Sequence, residues 1–369
     1  MSLEHLIVRP ATEAQAREVI LRNAAHWGVG AGVPIESYLK LCAIFLQGPA
    51  AREGRLKIWI LVPEDDPETP NFYASCLTFA RGVLTLQPGQ ASPSSSFGHA
   101  ITSVLVPPQH RGKGYAKRFM SLMHSALAPH RYPNLLKAPT ATDHPSTVSV
   151  LYSDVNNFYA RCTPSEGESG WSLQKSFTTT WSVAGASIPP TSGDLLPAVY
   201  LSESDATATL DSDDSNIPGD LLELQKNDPT KTYFAFAPTS PLNDYSATIS
   251  KFFLGELAVP SWGVKISGRN DFMTWVPFSV PRLQLVVTRL RATVDSFPVL
   301  LSAALRVAQE ANYGGVEIFN VPEHLREVAR VTGGETTERE TCLSAFKWYG
   351  QQPNSKTVSA DVFWALDER

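Results

Sequence analysis

The sequence of 369 residues has little of what marks several classes of protein. It contains four cysteines and no CxxC pair, so we expect neither a disulfide scaffold nor a metal site. It has no run of about 18 apolar residues, and we expect no membrane span. Its first residues, MSLEHLIVRP, lack the apolar centre of a secretory signal peptide. These absences predict a protein of a reducing compartment, with the cytoplasm as its location.

Charge of one sign is missing from two long stretches, although the net charge is only −5. The first, Thr69–Thr142, has no Asp or Glu, and the second, Ser176–Gln225, has no Lys or Arg. Chance and solubility account for such runs about as well as function does. A short basic segment in an acidic chain nevertheless fits a small phosphorylated ligand better than nucleic acid, which requires a broad basic face. We therefore expect no nucleic-acid partner and leave the oligomeric state open.

The hydrophobic pattern predicts a mixed α+β chain built from two parts. Residues 183–197, VAGASIPPTSGDLLP, have the composition of a linker and divide the chain into predicted domains 1–185 and 198–369. Both parts have the order antiparallel strands, long helix, strand, short helix, strand. We therefore predict two tandem domains, each a mostly antiparallel mixed sheet flanked by helices, with the second a structural repeat of the first.

One segment, VLVPPQHRGKGYA at 104–116, carries a chemical signal. A predicted strand ends at two prolines, and a predicted helix begins at Gly114 and ends at Leu127. Glycines at a helix start allow a tight turn, and the unpaired first amides of the helix favour an anion such as a pyrophosphate. The spacing fits neither a P-loop nor a complete Rossmann turn. The candidate anion-binding residues are Arg111, Gly112, Lys113, Gly114, Tyr115 and Ala116.

The pattern Arg-x-x-Gly-x-Ala at 111–116 resembles the pyrophosphate turn of the GNAT acetyltransferases. A second segment, VSVLYSDVNNFY at 148–159, resembles the strand and short helix that follow in that family. The resemblance implies that Asn156 lies beside the arm of the cofactor and Tyr159 near its sulfur. Taken alone, Tyr159 would be read as a core aromatic beside Phe158.

A closer resemblance rests on LYSDVNNFYAR at 151–161 followed by Gly170-Trp171. In these residues, in length and in its two-part organisation, the chain resembles the fungal lysine N6-acetyltransferases of lysine catabolism. That family joins an N-terminal GNAT domain to a degenerate C-terminal one. The chain departs from the family at Thr163–Ser169, which intervenes before Gly-Trp, so the next strand could enter the sheet elsewhere and alter the substrate mouth.

The resemblance implies transfer of an acetyl group from acetyl-CoA to an amine, with the N6-amine of free L-lysine as the favoured acceptor. A backbone N–H at Leu105 or Val106 would stabilise the developing oxyanion, and Tyr159 would protonate the leaving thiolate. Two alternatives remain open. One is a GNAT enzyme for another amine, such as a polyamine, an amino sugar or a protein lysine. The other is an acyl-CoA-binding protein without turnover.

The general base has no clear candidate. Many GNAT enzymes carry a glutamate on the fourth strand, which the acid-free stretch excludes here. His99 is the nearest titratable residue, and a histidine without a catalytic role is the favoured interpretation. A water relay, or an acid from the C-terminal half, stays open, and we expect that half to supply part of the amine site. For Cys162, core packing is favoured over an acyl-cysteine intermediate.

Overall fold

The computed structural model describes residues 3–29, 32–133, 143–184, 196–237, 247–251, 259–278, 283–350 and 362–364. The chain divides into two compact units, and neither is a single continuous segment. The first unit comprises 1–174, 218–237 and 340–365. The second comprises 175–217, 238–339 and 366–369. Within the described residues, no helix is long and apolar enough to cross a membrane.

In each part of the chain the described elements include the predicted order of antiparallel strands, long helix, strand, short helix and strand, and the helices Glu203–Asp213 and Ile217–Asn227 are additions that the pattern did not predict. The helices are α1 (Glu13–Asn23), α2 (Ile35–Gln47), α3 (Tyr115–Leu127), α4 (Glu203–Asp213), α5 (Ile217–Asn227), α6 (Phe297–Glu310) and α7 (Arg326–Val331). The strands are β1 (Leu6–Pro10), β2 (Leu56–Pro63), β3 (Ala74–Leu86), β4 (Ser94–Leu105), β5 (Ser146–Ser153), β6 (Ser172–Leu173), β7 (Phe177–Ser182), β8 (Ala198–Leu201), β9 (Thr232–Phe236), β10 (Gly263–Ile266), β11 (Phe272–Phe278), β12 (Gln284–Arg291), β13 (Gly315–Phe319), β14 (Glu335–Glu338), β15 (Leu343–Trp348) and β16 (Val362–Trp364).

The sheet of the first unit runs in the order β1-β2-β3-β4-β5-β15-β6, and β9 with β16 extends from β3. Its pairs are antiparallel except β4 with β5 and β9 with β16. The parallel pair β4–β5 is joined by α3, as a crossover between parallel strands requires. The sheet therefore has the mixed, mostly antiparallel character that the sequence predicts.

Helices cover both faces of this sheet. Successive residues of a strand point to opposite faces, and apolar residues on both faces are buried. On β2, Trp59 and Leu61 belong to the core under α3, whereas Ile60 belongs to the core under α1. Helix α3 contributes Phe119, Met120, Met123 and Leu127, which recur at helical spacing. Helix α1 begins with a capping box, in which the Thr12 N–H donates to Gln15 Oε1 at 3.0 Å.

The sheet of the second unit runs in the order β14-β7-β13-β12-β11-β10-β8. Strands β12 and β13 are its parallel pair, and they are joined by α6. The core packs Leu300, Leu301 and Leu305 of α6 against Trp275 and Val316 of the sheet. The strand–helix–strand crossover of the first unit thus recurs in the second, which is the repeat that the sequence predicts.

The two compact units differ from the predicted ranges 1–185 and 198–369 because each sheet contains a strand from the other part of the chain. Strand β15 lies between β5 and β6 in the first sheet. Strand β7 lies between β13 and β14 in the second sheet. Residues 185–195, which hold most of the predicted linker, lie outside the described residues.

A proline substitution in β15 tests whether this strand lies in the interior of its sheet. Ala345 is fully buried and pairs with Leu151 on one side and Leu173 on the other. We expect Ala345→Pro to lower the free energy of unfolding by about 3 kcal/mol or more. Proline has no backbone N–H, so a strand with partners on both sides loses an inter-strand hydrogen bond. Glu335→Pro is the matched control, since it begins the exposed edge strand β14 and should cost about 1 kcal/mol or less.

Urea unfolding of both variants measures the difference. Equal, small losses in the two variants would show that β15 does not hold an internal position in its sheet.

Candidate functional site

The glycine turn between β4 and α3 has a backbone that only glycine adopts readily. One short helical turn, Pro108–His110, follows β4, and α3 begins at Tyr115. Gly112 has φ +75° and Gly114 has φ +86°, both in the left-handed region. Gly114 is the N-cap and offers no side chain to the helix, so the first amides of α3 remain available to an anion.

Two of the basic residues in the turn brace it from within. The Arg111 Nε donates to the carbonyl of Val106 at 3.1 Å, and the Lys113 Nζ donates to the carbonyl of Gln109 at 2.9 Å. Both side chains are exposed, so their charge also reaches an anion in solvent. Arg118, one turn into α3, instead donates to the carbonyls of Glu4 and Leu6, each at 3.3 Å. It therefore holds β1 against α3.

The first residue of α3 packs into a cluster of rings. The Tyr115 ring stacks on Tyr73 with centroids 4.5 Å apart, and His110 meets both rings edge-on at 5.1 and 5.8 Å. Partial burial, with Lys113 and Arg22 nearby, lowers the pKa of His110. The ring of Tyr115 fixes the start of the helix, and its backbone amide is one of the first amides of α3. Ala116 follows on the next half-buried position.

Strands β4 and β5 separate near their carboxyl ends. Their last paired residues are Ile101 and Leu151. Beyond that point Ser103 has φ +53°, and the pairing of β4 with β3 shifts by one residue, which is a β-bulge. Leu105 pairs with Ser75 of β3. Leu105 at the end of β4, and Val106 directly after it, therefore lie beyond the paired part of β5, and the gap between the two strand ends is called the opening.

Asn156 lies where the chain leaves β5 on the other side of this opening. It has φ +48°, a conformation that asparagine tolerates better than most residues. Ser153 holds it there, because its Oγ donates to the Asn156 carbonyl at 2.8 Å and accepts from the Val155 N–H at 3.2 Å. The Asn156 side chain is exposed, as a residue that contacts a ligand would be.

Tyr159 lies on the short helical segment Asn156–Arg161, partly buried against the core under α3. Its ring meets Phe158 and Trp171 edge-on, with centroids 5.3 and 6.2 Å away. Burial raises its pKa, and Cys76, Cys162 and Asp154 add to the shift. The phenol therefore keeps its proton at neutral pH and can act as a proton donor. The core role and the functional role that the sequence left open are compatible.

His99 is buried in the sheet, where its ring cannot exchange protons with solvent as a general base would. It is 3% exposed, and its Nδ1 shares a hydrogen bond with Ser146 Oγ. Burial, with His144 and Lys57 nearby, lowers its pKa to about 3. The favoured interpretation, a histidine without a catalytic role, fits this setting. Asp154, the first acid after β5, is also engaged, since its Oδ1 accepts from the Cys342 N–H at 2.8 Å.

Cys162 is a buried thiol whose Sγ donates to the Phe158 carbonyl at 3.6 Å. Burial raises its pKa to about 12, which opposes the thiolate that an acyl-cysteine would need. Core packing, the interpretation favoured from sequence, fits this environment. Within the described residues no group of three or more His, Cys, Asp or Glu could hold a metal ion.

The inserted segment Thr163–Ser169 is anchored rather than placed across the opening. Glu168 accepts hydrogen bonds from the Tyr132 hydroxyl and, at 3.2 Å, from Lys347 Nζ, which also donates to the Ser169 carbonyl at 2.8 Å. The strand that follows, β6, pairs with β15 and not with β5. After the insertion the chain therefore enters the sheet beside β15.

Two polar residues that the sequence did not single out lie on the α1 face of the sheet. Ser75 is 1% exposed and Asn23 is 3% exposed, and Ser75 Oγ and Asn23 Oδ1 have no hydrogen-bond partner among the described residues. Arg22 donates to the Phe72 carbonyl at 2.9 Å, which holds the end of α1 against the start of β3. No pattern in the sequence marks either residue, because their burial depends on nonlocal packing.

Comparison with known proteins gives three kinds of similarity. Residues 183–369 match the family model described as the LYC1 GNAT-like C-terminal domain. A lysine acetyltransferase of Yarrowia lipolytica (strain CLIB 122 / E 150) is 33% identical over 147 residues, which is 38% of this chain. That match covers 36% of the relative, so the chain spans about a third of the length of the curated relative it matches.

Solved structures share the fold across most of the chain. A GCN5-related N-acetyltransferase from Kribbella flavida has a TM-score of 0.50 at 13% identity, over 93% of this chain and 71% of that one. A probable N-acyltransferase from Enterococcus faecalis V583 has a TM-score of 0.52 at 12% identity, over 93% and 72%. At such identity the likeness concerns the fold alone, and it agrees with the predicted fold class.

A bulky residue at Gly114 tests the glycine turn. We expect Gly114→Val to weaken coenzyme A binding by about 5- to 30-fold, because the left-handed conformation costs a branched residue about 1–2 kcal/mol. The new Cβ would also lie 3.3 Å from Leu3 Cδ1. Gly89→Val is the matched control, since Gly89 has φ +79° and open space but lies in the turn at the far end of β4.

Isothermal titration of coenzyme A into both variants measures the effect. Similar affinities for the two variants would contradict an anion site at the start of α3.

Proposed function

The chain belongs to the GNAT N-acetyltransferase family, in the group whose C-terminal domain is LYC1 GNAT-like, and on that premise we propose that it transfers an acetyl group from acetyl-CoA to the N6-amine of free L-lysine. The observation that supports this function best is the arrangement around the end of β4. A glycine turn at a helix start lies on one side of the opening, and the β5 end with Asn156 and Tyr159 lies on the other.

The turn residues fit a pyrophosphate. Gly112 has open space around it, and the N-cap offers no competing side chain, so the backbone can approach a ligand closely. The residues that would hold acetyl-CoA are Leu105, Val106, Arg111, Gly112, Lys113, Gly114, Tyr115, Ala116 and Asn156. When bound, acetyl-CoA supplies the activated acetyl group as a thioester.

The end of β4 would stabilise negative charge on the thioester oxygen. The pairing of β4 with β5 ends at Ile101 and Leu151, and a backbone N–H at Leu105 or Val106, beyond that point, would donate to that oxygen. The bulge at Ser103 keeps this stretch in position by pairing Leu105 with Ser75 of β3. Tyr159 is protonated at neutral pH and would give its proton to the thiolate as the thiolate departs.

The amine must lose a proton before it attacks, since a lysine side chain has a pKa of about 10.4. No acid of β4 is available, so transfer of the amine proton through water fits this chain best. The part of the C-terminal half in the first unit, including β15, supports the sheet from within.

A thiol-release assay tests the proposed function. The full chain is mixed with acetyl-CoA and, in turn, with L-lysine, a polyamine, an amino sugar and a lysine-containing peptide. We expect L-lysine to give the highest kcat/KM and the product to be N6-acetyl-lysine by mass spectrometry. Preference for another amine would retain the enzyme class and overturn the substrate. Release with none of the amines, together with tight acyl-CoA binding, would favour a binding protein.

Removal of the Tyr159 hydroxyl tests its role as the acid. We expect Tyr159→Phe to lower kcat by about 10²-fold or more while the Kd for acetyl-CoA changes less than about twofold, because proton donation matters only in the transition state. Tyr200→Phe, on the exposed strand β8, is the control and should match the wild type. Equal losses in kcat and affinity would instead assign Tyr159 to cofactor binding.

A further inference from the structure

A chain of hydrogen bonds lies buried in the first unit and passes through Tyr349, the residue directly after β15. Trp171 Nε1 is 2.9 Å from Ser149 Oγ, Ser149 Oγ is 2.9 Å from the Tyr349 hydroxyl, and that hydroxyl is 2.9 Å from His124 Nδ1. His124 Nε2 is 2.8 Å from the Cys162 carbonyl. Each of the four side chains is at most 1% exposed. No solvent can therefore replace a lost partner.

Elementary chemistry fixes the direction of every bond in this chain. A carbonyl only accepts, so His124 Nε2 carries the hydrogen. Burial lowers the pKa of His124 to about 3, so the ring is neutral and its Nδ1 is an acceptor. Tyr349 must then donate to His124 and accept from Ser149, which in turn accepts from the Trp171 N–H. Every donor has one acceptor, and no step can be reversed.

The chain holds Trp171, and Trp171 holds the backbone of Tyr159. The Trp171 ring stacks on His124 with centroids 4.0 Å apart. The backbone N–H of Trp171, distinct from its indole N–H, donates to the Tyr159 carbonyl at 3.1 Å, and the two rings meet edge-on. Gly170 permits this approach, because a Cβ there would lie 2.1 Å from the Tyr159 carbonyl oxygen. The Gly-Trp pair is thus a clamp on the segment that carries Tyr159.

We propose that Tyr349 is a positioning residue for Tyr159, acting through His124, Ser149 and Trp171. The inference rests on the proposed function, in which Tyr159 is the acid. Tyr349 is placed by its own N–H, which donates to the Thr147 carbonyl at 2.7 Å, next to the pairing of β15 with β5. Loss of its hydroxyl would leave His124 Nδ1 and the Ser149 hydroxyl without their partners in a closed site. Trp171 would then be held less firmly, and Tyr159 with it.

The test compares Tyr349→Phe in the wild-type background and in the Tyr159→Phe background. With acetyl-CoA and the best amine of the panel, we expect kcat to fall about 3- to 10-fold in the wild-type background, with KM for acetyl-CoA changed less than twofold. In the Tyr159→Phe background we expect no further loss of kcat, because the group being positioned is gone. Ser149→Ala, which breaks the same chain at another link, should give the same pattern.

The matched control is Tyr313→Phe, which also removes a buried hydroxyl. Tyr313 is 3% exposed, its hydroxyl has no partner among the described residues, and it belongs to the second unit. Thermal unfolding confirms that each variant is folded at the assay temperature, and Ser149→Ala carries the test if Tyr349→Phe is not. Wild-type kcat in both link variants, or an equal fold loss in both backgrounds, would overturn the inference. Absence of amine-dependent thiol release by the wild type would instead overturn the proposed function.

Discussion

The pairing of β15 with β5 is the interaction on which the first unit depends. Strand β5 is buried and has β4 on one side only, so its other backbone groups need a partner. The residues 343–348 supply it over six paired positions, and they also carry β6 on their far side. Lys347 anchors the inserted segment through Glu168, and Tyr349 continues into the buried hydrogen-bond chain. The first sheet, the inserted segment Thr163–Ser169 and the Gly-Trp clamp therefore all depend on contacts made by β15 and the residue after it.

The two crossovers share a topology and differ at the start of the helix. In the first unit α3 begins after glycines in the left-handed conformation, and its N-cap offers no side-chain hydrogen bond to the first amides. In the second unit α6 begins in a turn that is bonded to itself, where the Phe297 N–H donates to the Thr293 carbonyl at 3.0 Å. The Thr293 N–H also donates to Ser296 Oγ at 2.9 Å. These bonds occupy the start of α6 and leave it without the glycine turn of α3. The second unit therefore repeats the topology of the first without its anion-binding turn.

Local sequence patterns predicted those features that depend on residues close together in the chain. The period of α3, the glycines of its turn and the strand before Asn156 could all be located, because each depends on neighbours in the chain. The partner of β5 could not be predicted, since nothing in residues 343–348 encodes which sheet they join. The linker composition predicted a domain boundary near 183–197, but β7, which precedes that boundary, belongs to the second sheet. The burial of Ser75 and the Tyr349 chain are nonlocal in the same way.

The place of β15 in the chain also has a consequence for synthesis on the ribosome. Asp154 and its partner Cys342 are 188 residues apart, and β5 pairs with β15 across the same interval. At about 5–20 residues per second, β5 leaves the ribosome about 10–40 s before its partner exists. During that time an apolar strand has an open edge, which is a template for pairing with other chains. Quality control by chaperones during translation, more than final stability, would then limit the yield of this fold.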